Sequence, residues 1–230
     1  MRARHASMLC ALVAAASCAT TPSAPTPPSS AEAASLKLNR LEAAEPETFK
    51  MLHQVVARFQ GRSFPMTGYL LGRRDGSFRV SANAPVGPKL FDVARLAGRW
   101  ESRIYLPEVA AQVDPLEIGR SVERIYFVEG RGPLKFSEGA WVSRQPLAEA
   151  DVDAVEVWHD ADDLAVFRKR FFRKDRMVLE IVYDQRQVMQ GQLIAGRVVL
   201  TDARGFSLEL AVTGYQPGFA VPDELLELGQ

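Results

Sequence analysis

Residues 206 to 213 alternate without a break, with Phe206, Leu208, Leu210 and Val212 on one side and Ser207, Glu209, Ala211 and Thr213 on the other. A period of two places the two sets on opposite faces of an extended chain, so the segment buries its apolar set only as a strand with one wet face. The same pattern recurs in Phe78, Val80 and Ala82 against Ser77, Arg79, Ser81 and Asn83. It recurs again in Ser102, Ile104 and Leu106 against Glu101, Arg103 and Tyr105, and in Leu179, Ile181 and Tyr183. Strands with one polar face belong to antiparallel sheets, because parallel sheets are covered on both sides. Asp75-Gly76 supplies a hairpin turn between Tyr69 to Leu71 and the Phe78 run, and Asp202 with Gly205 supplies another after Arg197 to Thr201.

Two segments carry a helical period instead. Pro46 and Glu47 suit a helix start, and Phe49, Leu52, Val56 and Phe59 then fall on one stripe before Gly61, which predicts a helix over 46–61. Asp114 before Pro115 is a second N-cap signal; Leu116, Ile118, Val122 and Ile125 form the apolar side of a helix running to about Val128. The expected order is a helix, about four strands, a helix and about five more strands. That order argues against parallel β-α-β winding and for an α+β fold built on a large, curved antiparallel sheet.

Composition narrows the function. The 230 residues hold 28 basic and 28 acidic side chains, so no net cationic excess exists to neutralise phosphates and no nucleic-acid partner is expected. With 47% hydrophobic and 24% charged residues, the chain is neither wholly disordered nor fibrous.

The amino terminus reads as an export signal. Arg2 and Arg4 precede an apolar run from Ala6 to Ala16, too short to span a bilayer, which needs about 20 apolar residues. Ala15, Ala16 and Ser17 before Cys18 resemble the lipobox of bacterial lipoproteins, with Ala15 where Leu is usual. The resemblance implies cleavage after residue 17 and a diacylglyceryl-modified, palmitate-bearing Cys18. Cys10 leaves with the signal, so the mature chain keeps one thiol. From Ala19 to Ser35 the chain is Ala, Thr, Ser and Pro with the single charge Glu32, and residues 18–45 are assigned to a flexible tether of a domain covering 46–230.

Chemistry-bearing residues are few. His159 stands beside Asp160, Asp162 and Asp163, but no second histidine lies near it, and the acidic run reads first as a turn between Val155, Val157 and Val166, Phe167. His53 sits beside the apolar stripe of the first predicted helix. No Ser, Cys or Lys nucleophile stands at a recognisable spacing from a partner, so neither an enzyme, a metal nor a cofactor is expected. Arg168, Lys169, Arg170, Arg173, Lys174 and Arg176 place six cations in nine residues around Phe171 and Phe172. They either meet anionic headgroups or guard a sheet edge. Trp100, Trp141 and Trp158 read as packing residues, and Gly130 to Pro133 as a loop.

This order of elements behind a lipobox resembles the LolA and LolB lipoprotein-carrier superfamily. The stretch Gly76 to Val93, where a strand ends in Asn83-Ala84-Pro85-Val86-Gly87, is similar to the LolB turn whose leucine protrudes as an apolar finger. Tyr215 followed by Ala220-Val221-Pro222 is similar to the closing hairpin of that fold. The resemblance implies an incomplete, half β-barrel lidded by helices, an acyl chain or similar hydrophobic ligand in its concavity, and lipid or lipoprotein transport at the periplasmic face of the outer membrane. It assigns ligand or membrane contact to Pro85, Val86 and Gly87, with Val86 in place of the leucine. A tethered interaction module of an envelope complex, docking through a sheet edge or the basic hairpin with a filled core, is the alternative.

Overall fold

The computed structural model describes residues 28–106 and 114–229. Twelve strands form one antiparallel sheet: β1 (Thr48–Phe59), β2 (Arg62–Arg73), β3 (Phe78–Asn83), β4 (Lys89–Leu96), β5 (Arg99–Ile104), β6 (Leu134–Ser137), β7 (Ala140–Pro146), β8 (Ala154–Asp160), β9 (Val166–Arg173), β10 (Arg176–Met189), β11 (Gln192–Asp202) and β12 (Ser207–Pro217). Helix α1 (Ala31–Ala43) precedes them, α2 (Pro115–Tyr126) separates β5 from β6, and the short α3 (Asp223–Leu226) follows β12.

The sheet order is β5-β4-β3-β2-β1-β12-β11-β10-β9-β8-β7-β6. Two meanders, β1 to β5 and β6 to β12, join where β1 pairs with β12, from Phe49↔Pro217 to Arg58↔Ser207. The sheet curves but does not close. Instead α2, whose N-cap Asp114 accepts from the Leu116 N–H at 2.9 Å, packs on β4 and β5 and reaches across the concave face.

Two expectations fail at the amino-terminal side. The segment predicted as a helix over 46–61 is β1. Its buried residues are Met51, His53 and Val55, a period of two, and β1 pairs along its length with β2 on one side and β12 on the other. Hydrogen bonds to two neighbours outweigh a loose 3.5-residue stripe, since Val55 and Val56 favour strand anyway. Conversely, residues 31–43, read as the end of the tether, are α1, with Ser30 accepting from the Ala33 N–H as its cap. Its Ala, Glu, Leu, Lys and Arg are strong helix formers. Ala34 and Leu38, four apart on one face, bury against Leu134, Trp141 and Leu164. The export signal and Cys18 lie outside the described residues.

The concave face holds one apolar interior in two adjoining parts. One gathers Val155, Val157, Phe171, Ile181, Val198 and Leu200 around Ile125 of α2. The other gathers Leu70, Phe78, Val80, Phe91, Val93 and Val212 around Val122. The three tryptophans pack as expected: Trp141 and Trp158 are buried, and Trp100 meets Phe78 edge to face at 5.6 Å.

Candidate functional site

The site begins with α2, because this helix lies over the apolar interior of the open sheet. Its apolar side follows from Ile118, Val122 and Ile125, and Phe127 just beyond it stacks on Phe78 with ring centroids 5.1 Å apart. Gly119 allows the approach: a Cβ there would lie 2.9 Å from Val93 Cγ1 and closer still to the Trp100 ring.

The carboxyl end of α2 is buried, and its orphan carbonyls need donors. Lys169 on β9 donates through Nζ to the carbonyls of Arg124 at 3.1 Å and Ile125 at 2.8 Å. The Tyr183 hydroxyl donates to the same Ile125 carbonyl at 2.7 Å. Desolvation pushes the Lys169 amine down to about 7, against the attraction of Glu129 and Glu45, and pushes the Tyr183 hydroxyl up. On the other wall, the His53 Nε2 lies 2.7 Å from the Tyr126 hydroxyl. Burial pushes the imidazole down to about 4, despite a hydrogen bond to Gly68, so the neutral ring accepts a hydrogen bond from the tyrosine hydroxyl. Outside this apolar contact, Arg124 pairs with Glu149 at 2.6 Å and Asp151 at 2.7 Å, and Glu123 pairs with Arg95 at 2.8 Å.

The cationic run divides. Lys169 is 5% exposed beneath α2 and takes no part in a headgroup patch. Strand alternation separates it from its neighbours: Arg168 and Arg170 lie on the opposite face, share Glu180 at 3.5 and 3.0 Å, and stack over Trp158. Arg173, Lys174 and Arg176 remain exposed at the β9–β10 turn. Both strands lie inside the sheet, so the run guards no edge.

The Val86 turn stands clear of the body. Val86 is 97% exposed, and the turn is closed by the Ala84 N–H donating to the Pro88 carbonyl at 3.1 Å. At its base the buried Asp92 carboxylate accepts from Lys89 at 2.9 Å, Arg79 at 2.8 Å, Tyr105 at 2.8 Å and Ser81. Burial alone would raise this carboxyl, but the four donors hold it down at about 2.

His159 is buried on β8, with Nδ1 3.0 Å from the Leu164 carbonyl, while Asp160 and Asp163 pair outward with Arg186. Strand alternation therefore parts the imidazole from the carboxylates. Among the described residues no three His, Cys, Asp or Glu side chains gather as a metal site.

Sequence reasoning passed over two surface pockets. One, of about 610 Å³, lies between α1 and the 129–134 loop and is lined by Leu38, Glu42, Arg74, Glu129, Arg131 and Leu134. The other, about 270 Å³, lies among Lys50, Tyr69, Leu71, Arg79, Phe219 and Leu225. The Gly130-Arg131-Gly132-Pro133 run signals a loop, but nothing in it signals that α1 would fold back beside it.

No family model matches the sequence, and no curated protein is significantly similar to it. Solved structures are similar in shape. A LolA superfamily protein from Nitrosomonas europaea superposes with a TM-score of 0.61 at 12% identity, over 84% of this chain and 97% of that one. A DUF1329 family protein from Desulfovibrio piger gives 0.61 at 13% identity, over 88% and 98%. A domain named for outer membrane lipoprotein sorting, from Vibrio parahaemolyticus, gives 0.50 at 13%, over 85% and 96%. Likeness over nearly the whole of each chain, together with the open twelve-stranded sheet and the helix across its mouth, establishes that this chain has the LolA/LolB-like fold.

Proposed function

We propose that the protein is an outer-membrane lipoprotein, anchored through Cys18, that binds an acyl chain or similar hydrophobic ligand inside the half-barrel for lipid or lipoprotein transfer. The observation that carries this reading is that the interior is covered by a helix and not by a strand. A strand in the gap would be locked by hydrogen bonds on two sides, whereas α2 keeps its own backbone bonds wherever it lies.

Magnitudes favour exchange. Ile118, Val122, Ile125 and Phe127 are worth about 1.5–3 kcal/mol each when buried, or about 6–12 kcal/mol together. A chain of about ten methylenes, at about 0.8 kcal/mol each, replaces that burial. The name of the Vibrio parahaemolyticus domain supports a lipoprotein-related role in the envelope. The interior needs no nucleophile, metal or cofactor for this task, and the protein is assigned no catalytic activity.

The test uses the chain from Ala19 onward and an environment-sensitive fatty-acid probe. Enhanced emission, reversed by unlabelled fatty acid, is the expected result. One observation favours the other reading: α2 already fills the concave face. If the probe neither binds nor increases amide exchange in α2, the protein is a tethered interaction module without a ligand. The anchor is tested separately, by fractionating cells that express Cys18→Ala; a variant that still sediments with the outer membrane removes the lipidation.

A further inference from the structure

Strand alternation reserves the inward positions of β7 to β10 for apolar residues, yet Ser143, His159, Lys169 and Tyr183 occupy four of them. Ser143 pairs across the sheet with Val157, and Val157 with Lys169. Lys169 Nζ lies 5.4 Å from the centre of the Tyr183 ring. Gly130, just past α2, rests on the other two. A Cβ there would lie 2.9 Å from Val157 Cβ, 3.2 Å from His159 Nε2 and closer still to Ser143 Oγ. The four side chains thus gather around the carboxyl end of the helix.

This polar row exceeds what the helix needs. The single carbonyl oxygen of Ile125 accepts from both Lys169 at 2.8 Å and Tyr183 at 2.7 Å. Ser143 Oγ and His159 Nε2, on side chains 1% and 2% exposed, have no partner among the described residues. His159 Nδ1 lies 3.0 Å from the Leu164 carbonyl, so that nitrogen carries the proton and Nε2 is a bare acceptor. Unpaired buried polar groups cost stability, and apolar side chains of the same size would pack under α2 without that cost. The row is accounted for by a group that α2 does not supply.

We propose that the row is the polar end of the ligand site and that its occupant is an ester-linked acyl chain, whose carbonyl oxygen takes the place of Ile125's between Lys169 and Tyr183. The inference rests on the reading that such a chain displaces α2 from the interior. The present occupant of the two donors is a neutral carbonyl, and an ester repeats it without bringing charge. A free carboxylate would face Glu129 and Glu45, both close enough to act on the Lys169 amine. An ether or a plain hydrocarbon leaves the two donors poorly paired, which is how a site built to hydrogen-bond an oxygen rejects analogues. Room exists for the head beyond the ester. Gly130 follows α2 by four residues, so displacing the helix draws it off Ser143 and His159, and it is also a wall of the pocket of about 610 Å³ beside α1. A hydroxyl and a bare acceptor there suit a head that brings a hydrogen-bond donor.

The test displaces N-phenyl-1-naphthylamine, a neutral fluorophore without a carbonyl, from the chain beginning at Ala19, which contains every described residue. Methyl decanoate is expected to displace it at about tenfold lower concentration than methyl decyl ether, and at lower concentration than decanoate. Lys169→Met and Tyr183→Phe should each remove most of the ester's advantage and leave the ether unchanged, a split that a merely structural role does not produce. Where Lys169→Met fails to fold, as circular dichroism reads, Tyr183→Phe carries the test. Ser143→Ala should keep the ester's advantage, weaken monodecanoylglycerol, and unfold at the parent's urea midpoint or above, because the lost hydroxyl had no partner. Monodecanoylglycerol and a diacylglyceryl-cysteine peptide, each set against its ether analogue, separate lipid from lipoprotein as the source of the ester; a preference in either supports the site. Equal displacement by ester and ether, or an ester advantage that survives in the folded Lys169 and Tyr183 variants, overturns the proposal and leaves the hydrophobic-ligand reading standing. A probe that does not bind, or that none of these compounds displaces, overturns both.

Discussion

Lys169 Nζ, on the wall of the half-barrel, lies 2.8 Å from the main-chain carbonyl of Ile125, the residue by which α2 enters the apolar interior. One amine, with the Tyr183 hydroxyl, thus satisfies carbonyls at the buried end of the helix that covers the site. Its low proton affinity fixes the sign of a pH effect. Because the folded protein holds the amine at about 7 and the unfolded chain at its ordinary 10.5, the unfolded state binds more protons between those values. Stability from this group therefore rises as pH rises from 7 to 10.5, by on the order of 5 kcal/mol. Lys169→Met should flatten that slope in urea unfolding at pH 7 and 9.5, while amides of residues 123 to 128 exchange faster because the Arg124 carbonyl loses its donor and Ile125 keeps only the Tyr183 hydroxyl. An unchanged slope would place the titrating group elsewhere.

The opposite wall titrates on the acid side. His53 is held at about 4 when folded and at its ordinary 6.5 when unfolded, so protons favour the unfolded chain as pH falls through that interval. The expected loss is about 3 kcal/mol between pH 6.5 and 4, and His53→Gln should remove most of it. Tyr126→Phe, which takes away the hydroxyl facing Nε2, should cost about 1 kcal/mol at neutral pH. Chemical denaturation across that range reads both.

These two walls mark how far the sequence could be read. The strands with one wet face, the Asp75-Gly76 hairpin and the Asp114-capped helix were legible because each is a local pattern. β1 was not, since Phe49, Leu52, Val56 and Phe59 fit a helix and only pairing with β2 and β12 decides the matter. β6 to β8 are short or interrupted, and their extent follows from neighbours. Lys169 was read with the surface cations because its burial is set by α2, 45 residues away in sequence from Arg124. The place of Val86 was read from the likeness of its turn to the LolB one, and its 97% exposure follows from a turn flanked by Pro85, Gly87 and Pro88.

Gly119 tests whether α2 behaves as a cover. An added Cβ would press on Trp100 and Val93, in a ring and a branched side chain with little room to yield. Gly119→Ala should destabilise the protein by about 1–3 kcal/mol through overpacking. If α2 can leave the interior, the strain is relieved by the helix lifting, and fatty-acid probe emission at a given concentration should increase. A loss of stability with no gain in probe binding would mean that α2 is fixed core.

Val86 lies beyond all of this packing. At 97% exposure, between Pro85 and Gly87, it contributes little to the core, and Gly87 takes a φ of +147° that residues with a side chain rarely adopt. Val86→Glu should therefore leave folding within about 0.5 kcal/mol of the parent, as at other exposed loop sites. A carboxylate at the tip is repelled by anionic lipid and is costly to bring among acyl chains, so vesicle binding and lipid transfer by the chain from Ala19 should both fall. Asp92→Asn is the companion variant. It keeps Val86 but weakens the charged contacts from Lys89 and Arg79 that fix the base of the turn. If the tip works by being held rigid, Asp92→Asn reduces transfer with an intact valine; if only apolar surface matters, it leaves transfer unchanged while Val86→Glu abolishes it. A Val86→Glu protein that folds and transfers lipid like the parent would leave the turn with no part in function.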